Sequence, residues 1–250
     1  MTYPDDFLNK IIQGDCLEVM KDIPDKSIDM ILCDLPYGTT ACKWDTIIPF
    51  EPLWEQYKRI IKDNGAIVLT ASQPFTSALV MSNPKMFKYA LVWDKVKSSQ
   101  PHLSKIQPMK RHEDILVFGG KLNYSPQRVL KDKPRKAYGH SEKANNDHKL
   151  GLKSLEPYLI THSYPTTILP FSNADNTIRV HPTQKPVTLF EHLIKTYTNE
   201  GDLVLDNCAG GGTTGVACKN LNRNYTLIEK EPEYVEIINK RLSETPPTLL

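Results

Sequence analysis

The sequence has no long apolar run, and none of its hydrophobic stretches approaches the roughly 20 residues that a membrane-spanning helix needs. It has only five cysteines, an odd number without a Cys-x-x-Cys pair. This usage indicates reduced thiols in a core rather than disulfides or a zinc site. The first ten residues carry Asp5 and Asp6 and no apolar core. We therefore expect no secretory signal, no membrane contact, no metal and a cytoplasmic location.

A strong overall charge is also absent, because the net charge is only +2 in 250 residues. The charge is nevertheless unevenly distributed. Residues 101–180 contain 13 Lys and Arg against 7 Asp and Glu, whereas the remainder contains 18 against 22. A basic segment on an acidic body is what a surface for a phosphate backbone would need. A solvated basic loop would have the same composition, so charge alone leaves both interpretations open.

Short apolar runs that suit buried strands alternate along the chain with patterns of helical spacing. The predicted strands are 10–13, 27–33, 66–70, 89–93, 115–118, 203–205 and 225–228, and the predicted helices are 16–21, 52–62, 74–81, 187–198, 213–220 and 232–242. This alternation predicts an α/β fold with a doubly wound, mostly parallel sheet.

The periodicity fades from about residue 121 to 179, where Pro, Lys, Asn and His dominate. A loop of this length inside a compact domain is usually functional or disordered. We therefore predict one domain formed by residues 1–120 and 180–250, with an inserted segment at 121–179.

Residues 34–37, Asp-Leu-Pro-Tyr, directly follow the strand predicted at 27–33. Pro36 cannot continue a central strand and Gly38 favours a turn, so the chain leaves the sheet here. A carboxylate, a backbone carbonyl and an aromatic ring then lie together at the carboxyl end of a strand, where open α/β sheets bind ligands. This set suits a flat ring with an exocyclic amine. A simple Asp-x-Pro-Tyr turn remains the alternative.

A glycine-rich stretch, residues 206–214, joins the strand at 203–205 to the following helix. Glycines let the backbone turn tightly and approach a ligand. Glu229 ends the next strand about 20 residues later, as in dinucleotide sites where an acid holds ribose hydroxyls. The Lys-Ser/Thr of phosphate-binding loops is missing. NAD binding fits the same geometry, so the pattern alone leaves the ligand open.

Together these motifs resemble the β-group of DNA amino-methyltransferases, which methylate the exocyclic nitrogen of adenine or cytosine. Residues 34–37 resemble the Asp-Pro-Pro-Tyr motif of that family, with Leu35 in the second position. Residues 206–214 resemble its Asp-Pro-Phe-x-Gly-Ser-Gly-Thr-Thr loop, and 227–234 its Gly-Ile-Glu-x-Asp-Pro-Glu-Tyr segment. Residues 181–186 match its His-Pro-x-Gln-Lys-Pro segment, and the order of the motifs is that of the β-group.

The resemblance implies a seven-stranded Rossmann-like methyltransferase sheet and S-adenosylmethionine as the cofactor. It implies that the catalytic residues are Asp34, Leu35, Pro36 and Tyr37. It further implies that the cofactor is bound by Asp15, Cys16, Thr183, Lys185, Pro186, Asp206, Asn207, Gly210, Gly212, Thr213 and Glu229. Asp rather than Ser at position 34 favours adenine N6 over cytosine N4 as the acceptor.

The basic insertion is the candidate for target recognition in duplex DNA. Its predicted phosphate contacts are Arg128, Lys131, Lys133, Arg135 and Lys136. The target base would leave the stack to reach the methyl donor. A homodimer and a cognate restriction endonuclease are left open as further partners.

Several residues have structural alternatives. Asp15 could cap the helix that follows it, and Lys185 could be a surface charge at a helix start. Pro186 suits the first turn of a helix. Glu113 lies in a segment that resembles the border of the target-base pocket, but it could equally be a structural ion-pair partner. Further functional alternatives remain open. The methyl acceptor could be RNA or a protein glutamine amide, or the protein could be a DNA-binding relative that has lost catalysis.

Overall fold

The computed structural model describes residues 4–39, 42, 45–99, 101–137, 158–173 and 184–246. The strands in these ranges are β1 Lys10–Gln13, β2 Ile28–Asp34, β3 Ile61–Ala71, β4 Phe87–Ser99, β5 Lys110–Gly119, β6 Val129–Ala137, β7 Tyr158–Ser163, β8 Ile168–Pro170, β9 Leu203–Asp206 and β10 Asn224–Glu229. The α-helices are α1 Cys16–Val19, α2 Phe50–Ile60, α3 Phe75–Ser82, α4 Val187–Tyr197, α5 Thr213–Asn220 and α6 Pro232–Glu244. None of these helices is long and apolar enough to cross a membrane.

Eight strands form one sheet in the order β1-β10-β9-β2-β3-β5-β4-β8. Strand β5 is antiparallel to both of its neighbours, whereas every other neighbouring pair is parallel. The predicted α/β fold with a mostly parallel sheet is confirmed. The eighth strand, β8, goes beyond the seven that were expected. Its three residues end in proline and are too short to produce a strand pattern in the sequence.

The sheet is covered on both faces, as its continuous apolar strands require. In β2, Ile31 and Cys33 belong to one buried cluster, which also contains residues of α1, α2 and α3. Met30 and Leu32 belong to the other, which contains residues of α4, α5 and α6. Because successive side chains of a strand point to opposite faces, one strand contributes to both cores. This doubly wound arrangement brings the carboxyl ends of β1, β2, β9 and β10 to the same edge of the sheet.

The chain divides into two compact units, one formed by Met1–Ser125 with Thr167–Leu250 and the other by Pro126–Thr166. The smaller unit is shorter than the inserted segment predicted at 121–179. Its described part is an antiparallel ribbon of β6 and β7. No strand pattern is visible in the sequence here, because most β6 side chains are exposed and no apolar face marks the strand.

Candidate active site

A cavity of about 670 Å³ lies at the carboxyl ends of the central strands of the larger unit. The tetrapeptide that follows β2 and the glycine stretch that follows β9 both line it, so Asp34 and Gly210 face the same space. Strands β2 and β9 are parallel neighbours, which explains why residues far apart in the sequence meet here. The volume is typical of small-molecule sites, which span about 300–1,000 Å³.

Asp34, the last residue of β2, is surrounded by hydrogen-bond donors. Its Oδ1 accepts from the Tyr37 hydroxyl at 2.7 Å and from the Thr70 hydroxyl. Its Oδ2 accepts from Lys185 Nζ at 2.6 Å. A carboxylate oxygen has about two acceptor sites, so Oδ1 is fully engaged whereas Oδ2 keeps one acceptor position. The carboxylate is therefore held in one orientation and can still accept one hydrogen from a ligand.

Tyr37 is half-buried and lines the cavity. Its ring stacks on Phe75 of α3, with a centroid separation of 5.2 Å and an interplanar angle of 28°. Burial and the nearby carboxylates of Asp34 and Glu113 raise the pKa of Tyr37 well above its ordinary value. The hydroxyl therefore stays protonated at neutral pH and continues to donate to Asp34.

Asp34 is the first member of a chain of ion pairs in which carboxylates and ammonium groups alternate. Lys185 Nζ lies 3.5 Å from Glu113 Oε2, and Lys95 Nζ donates to Glu113 Oε1 at 2.5 Å. Burial alone would lower the pKa of Lys185, but the carboxylates of Asp34 and Glu113 outweigh burial and raise it. Burial would raise the pKa of Glu113, but the cations of Lys185 and Lys95 outweigh it and lower that pKa. Each buried charge thus has a partner, as low-dielectric surroundings require.

Glu229 at the end of β10 organises the glycine stretch. Its Oε2 accepts from the amide of Gly210 at 2.7 Å, and its Oε1 accepts from the amide of Glu231 at 2.9 Å. Burial raises the pKa of Glu229, and these backbone donors oppose the shift. Each oxygen keeps one acceptor position, so the carboxylate can also receive hydroxyl donors from a ligand in the cavity.

Asp206 at the end of β9 accepts from the Thr214 hydroxyl at 2.5 Å and from the Cys208 amide at 3.1 Å. The next residue, Asn207, accepts from the buried Tyr57 hydroxyl at 2.6 Å. These contacts fix the first half of the glycine stretch against α5 and α2. Burial raises the pKa of Asp206 from its ordinary value of 3.8 to about 6.

Asp15 caps a helix, as one of the two interpretations of the sequence expected, and also lies at the cavity. Its Oδ1 accepts from the Leu17 amide at 2.9 Å and so caps helix α1. The residue is exposed and lines the cavity together with Cys16. A hydrogen bond with Cys208 and burial raise the pKa of the Cys16 thiol, so Cys16 stays a neutral thiol at the cavity and is not an activated nucleophile.

The cavity collects most of the residues that the sequence singled out. Those lining it are Asp15, Cys16, Asp34, Leu35, Pro36, Tyr37, Lys185, Asp206, Asn207, Gly210, Thr213 and Glu229. Pro186 is buried just before α4 and does not line the cavity, and neither does Gly212. Thr183 lies outside the described residues.

Sequence reasoning missed further residues in or next to the cavity. Thr70 is the parallel partner of Asp34 in the β2–β3 ladder and could have been found as the polar residue ending an apolar run. Ser72 and Lys110 also line the cavity, and the Lys110 ammonium donates to the Ser72 hydroxyl. Lys110 lies on β5, which reaches this edge only because it runs antiparallel to its neighbours.

The predicted phosphate contacts all lie in the smaller unit. Arg128 is exposed, lies 4.8 Å from the centroid of the Tyr164 ring and donates to its hydroxyl at 3.0 Å. The other four are on β6, where Lys131 is half-buried and Lys133, Arg135 and Lys136 are exposed. Four cations on one exposed strand make this ribbon a strongly basic element.

Comparison with known proteins assigns this chain to a family. The family model described as DNA methylase, of the N6/N4 methyltransferases, matches residues 28–240. The Type II methyltransferase M2.MboI of Moraxella bovis is 28% identical over 98% of this chain and 91% of its own length. The Type II methyltransferase M.BglII of Bacillus subtilis is 30% identical, with 98% and 72% of the two chains covered.

A solved structure agrees with these relatives. The crystal structure of the M1.HpyAVI–SAM complex is 26% identical, has a TM-score of 0.61 and covers 93% of this chain and 99% of that chain. Since the family model spans most of the sequence, this chain belongs to the DNA methylase family of N6/N4 methyltransferases.

Proposed function

We propose that this protein transfers a methyl group from S-adenosylmethionine to the N6 amine of adenine in duplex DNA. S-adenosylmethionine is the methyl donor of its family, and the acceptor of that family is an N6 or N4 amine in DNA. The observation that carries the proposal is the position of Asp34, whose Oδ2 keeps an acceptor site inside a cavity also lined by the glycine stretch. Asp rather than Ser at this position favours adenine.

The donor set of the cavity fits S-adenosylmethionine. The free acceptor positions of Glu229 suit two ribose hydroxyls, and the exposed carboxylate of Asp15 suits the amine of the adenine ring. Gly210 has a φ of +50° and lines the cavity, so its backbone can approach the ligand without a Cβ atom. Lys185 and Thr213 lie towards the methionine end in this arrangement.

The target amine takes part in base pairing inside a duplex, so the base must leave the stack before it can reach the methyl donor. We propose that the extruded ring stacks on Tyr37. Asp34 Oδ2 and the Leu35 carbonyl accept the two amine hydrogens, which turns the nitrogen lone pair towards the sulfonium methyl group. The new N–C bond would form as the S–C bond of the sulfonium breaks and leaves a neutral thioether, and the positively charged nitrogen would then release a proton through its hydrogen bond to Asp34 Oδ2. Most of the rate gain comes from orientation and electrostatics.

The basic ribbon is proposed to supply phosphate contacts. Lys131, Lys133, Arg135 and Lys136 of β6 and the nearby Arg128 would fix the register of the enzyme on DNA without reading sequence. We also propose a cytoplasmic enzyme that protects DNA from a cognate restriction endonuclease, since M2.MboI and M.BglII are Type II methyltransferases. A homodimer remains a further proposal.

Product analysis tests the acceptor. DNA from cells that express the protein is sequenced with modified-base detection to find the methylated site. A duplex with that site is then incubated with tritium-labelled S-adenosylmethionine, and its nucleosides are separated. We expect N6-methyladenine. Label in N4-methylcytosine would show that the acceptor is cytosine N4 and not adenine N6. Label only in RNA or protein would overturn the proposal that DNA is the substrate.

The Asp34→Ala variant tests the proposed catalytic role. It should bind S-adenosylmethionine with the affinity of the wild type, because Asp34 is proposed to contact the amine of the target base and not the ribose or adenine of the cofactor. Its turnover should fall by about 10²–10⁴, the range for a positioned acid–base or hydrogen-bonding group. Near-normal methylation by this variant would show that the assignment of Asp34 is wrong.

A further inference from the structure

Strands β4 and β5 continue past the cavity and are joined by a tip that the function described above does not use. Ser99 and Lys110 are cross-strand partners, the Ser99 hydroxyl donates to the Lys110 carbonyl at 3.0 Å, and both residues line the cavity. The tip, defined here as residues 96–109, therefore begins at the cavity wall. The described residues of this tip are positioned to meet whatever macromolecule delivers a substrate to the cavity.

The charged residues of the segment 95–112 are all cationic. Between residues 95 and 112 the sequence has five Lys and Arg and no Asp or Glu. Lys97 and Lys105 are exposed, whereas Arg111 pairs with Asp94 at 2.8 Å. A polyanion is the partner that this surface complements, and a phosphate backbone provides one next to the cavity.

The tip also presents large apolar side chains to solvent. Ile106 is 81% exposed, and Val96 and Met109 are 46% and 45% exposed. Turns Leu103–Ile106 and Leu103–Gln107, closed by backbone hydrogen bonds, hold Ile106 in place. Apolar residues scattered singly on a surface are normal, but three of them lie exposed within this one tip. Proteins that deform DNA insert such residues between base steps.

The backbone of the hairpin is bent at its start. The ladder between β4 and β5 shifts register between Asp94 and Ser99, and Val96 has a φ of +65°. Positive φ is unfavourable for a β-branched residue. The Val96 amide donates to Asp94 Oδ1 at 2.8 Å, which holds this conformation. A bulge of this kind redirects the strands that follow it.

We propose that the tip enters the duplex beside the target base and that Ile106 fills the space that the extruded base leaves in the stack. Lys97 and Lys105 contact the flanking phosphates. The inference rests on the proposed function, because a wedge is needed only if the acceptor is a base inside duplex DNA. Its partner is the DNA duplex, and its role is to favour the extruded state of the base.

An Ile106→Ala variant separates base extrusion from methyl transfer. Two unmethylated substrates contain the target sequence found by modified-base detection. One is a fully paired duplex. The other has an abasic site opposite the target base, so that its target base is already poorly held in the stack. We expect kcat/KM of the variant to fall on the order of tenfold or more on the paired duplex, where about 1.4 kcal/mol corresponds to tenfold. On the second substrate it should stay within about twofold of the wild type.

Matched variants and a spectroscopic readout complete the test. Ile106→Leu should retain activity on both substrates. Met81→Ala removes a 72% exposed side chain from α3, outside the cavity, and should change neither rate. With 2-aminopurine as the target base, the rise in fluorescence on binding should be smaller for Ile106→Ala than for the wild type. Melting temperature and S-adenosylmethionine affinity should match the wild type.

Two results would overturn the wedge. Equal activity of wild type and Ile106→Ala on the paired duplex would show that Ile106 is not needed for extrusion. An equal loss on both substrates would assign Ile106 to another step. Failure of the wild type to methylate either DNA is a different result, because it would overturn the proposed function itself and the wedge with it.

Discussion

Two carboxylates at the edge of the sheet lie in opposite electrostatic environments. Asp34 accepts a hydrogen bond from the ammonium group of Lys185, whereas Asp206 accepts from neutral donors such as the Thr214 hydroxyl and the Cys208 amide. Burial of a carboxylate without a cation favours the protonated form. This difference explains why the pKa of Asp206 rises to about 6.

Stability should therefore depend on pH through Asp206. Between pH 4 and 6 the folded state holds the proton of this carboxyl more tightly than the unfolded chain does. Its contribution to the free energy of unfolding is fully present only below the unfolded pKa of 3.8 and is lost as pH rises through about 6, by about 3 kcal/mol in all. An Asp206→Asn variant lacks this loss.

Urea unfolding of both proteins at pH 4, 5, 6 and 7 measures the effect. From pH 4 to pH 7, the free energy of unfolding of Asp206→Asn should shift by about 2 kcal/mol in its favour relative to the wild type. The pH-dependent difference isolates ionisation from any constant cost of the substitution. Parallel pH profiles for the two proteins would contradict the elevated pKa.

At the scale of elements, the glycine stretch ties helices α5 and α6 together. Gly212 caps the N-terminus of α5 with a φ of +72°. A Cβ atom at this position would lie 2.8 Å from Cγ2 of Ile238 on α6. Gly212 therefore supports the cavity without lining it, because it lets α6 pack against the turn that carries Gly210 and the other lining residues.

Gly212→Ala should consequently destabilise the protein for two reasons, an unfavourable φ and an overlap with Ile238. Gly201→Ala is the matched control, because Gly201 has a φ of +83° but no atom within 4 Å of the added Cβ. The control should cost about 1–2 kcal/mol, and Gly212→Ala about 1–3 kcal/mol more. Thermal melting measures both variants, and at this size each kcal/mol lowers Tm by about 2–4 °C. Equal Tm values would contradict the packing role of Gly212.

The elements differ in how well local sequence predicts them. Helix α5 occupies the predicted residues 213–220, and α4, which was predicted at 187–198, buries a stripe formed by Leu189, Phe190, Leu193, Ile194 and Tyr197. Helix α4 packs one face against a large core, which imposes an apolar period on the sequence, whereas α5 is buried over the consecutive residues 213–218. Strands β6 and β7 lack such a core, and most of their side chains are exposed or half-buried. Their pairing therefore left no pattern to recognise.

For the molecule as a whole, charge is divided between a nearly balanced body and a basic smaller unit. Lys133→Gln, Arg135→Gln and Lys136→Gln combined should weaken DNA binding and reduce its salt dependence. The slope of log K against log[salt] should become less steep by about 3, close to one unit for each lost phosphate contact. Fluorescence anisotropy with labelled duplex DNA at several salt concentrations measures this slope.

A second triple variant distinguishes a local contact from a change in net charge. Lys58→Gln, Lys88→Gln and Lys240→Gln remove three exposed cations from α2, β4 and α6 of the larger unit. This control should leave the slope nearly unchanged, and both triple variants should bind S-adenosylmethionine normally. The same change in slope for both triple variants would show that the cations of the ribbon contact phosphates no more than other surface cations do.

The sequence by itself determined where strands end and which residues stand at those ends. Asp34, Asp206 and Glu229 each close an apolar run, and such runs are visible because burial selects side chains locally. Only the tertiary structure decided which of these ends meet. Lys185 is 151 positions from Asp34 in the sequence and still donates to its carboxylate. Thr70 also contacts Asp34, because β3 is the parallel neighbour of β2. Strand order follows from how distant segments pack, and no local pattern records that choice.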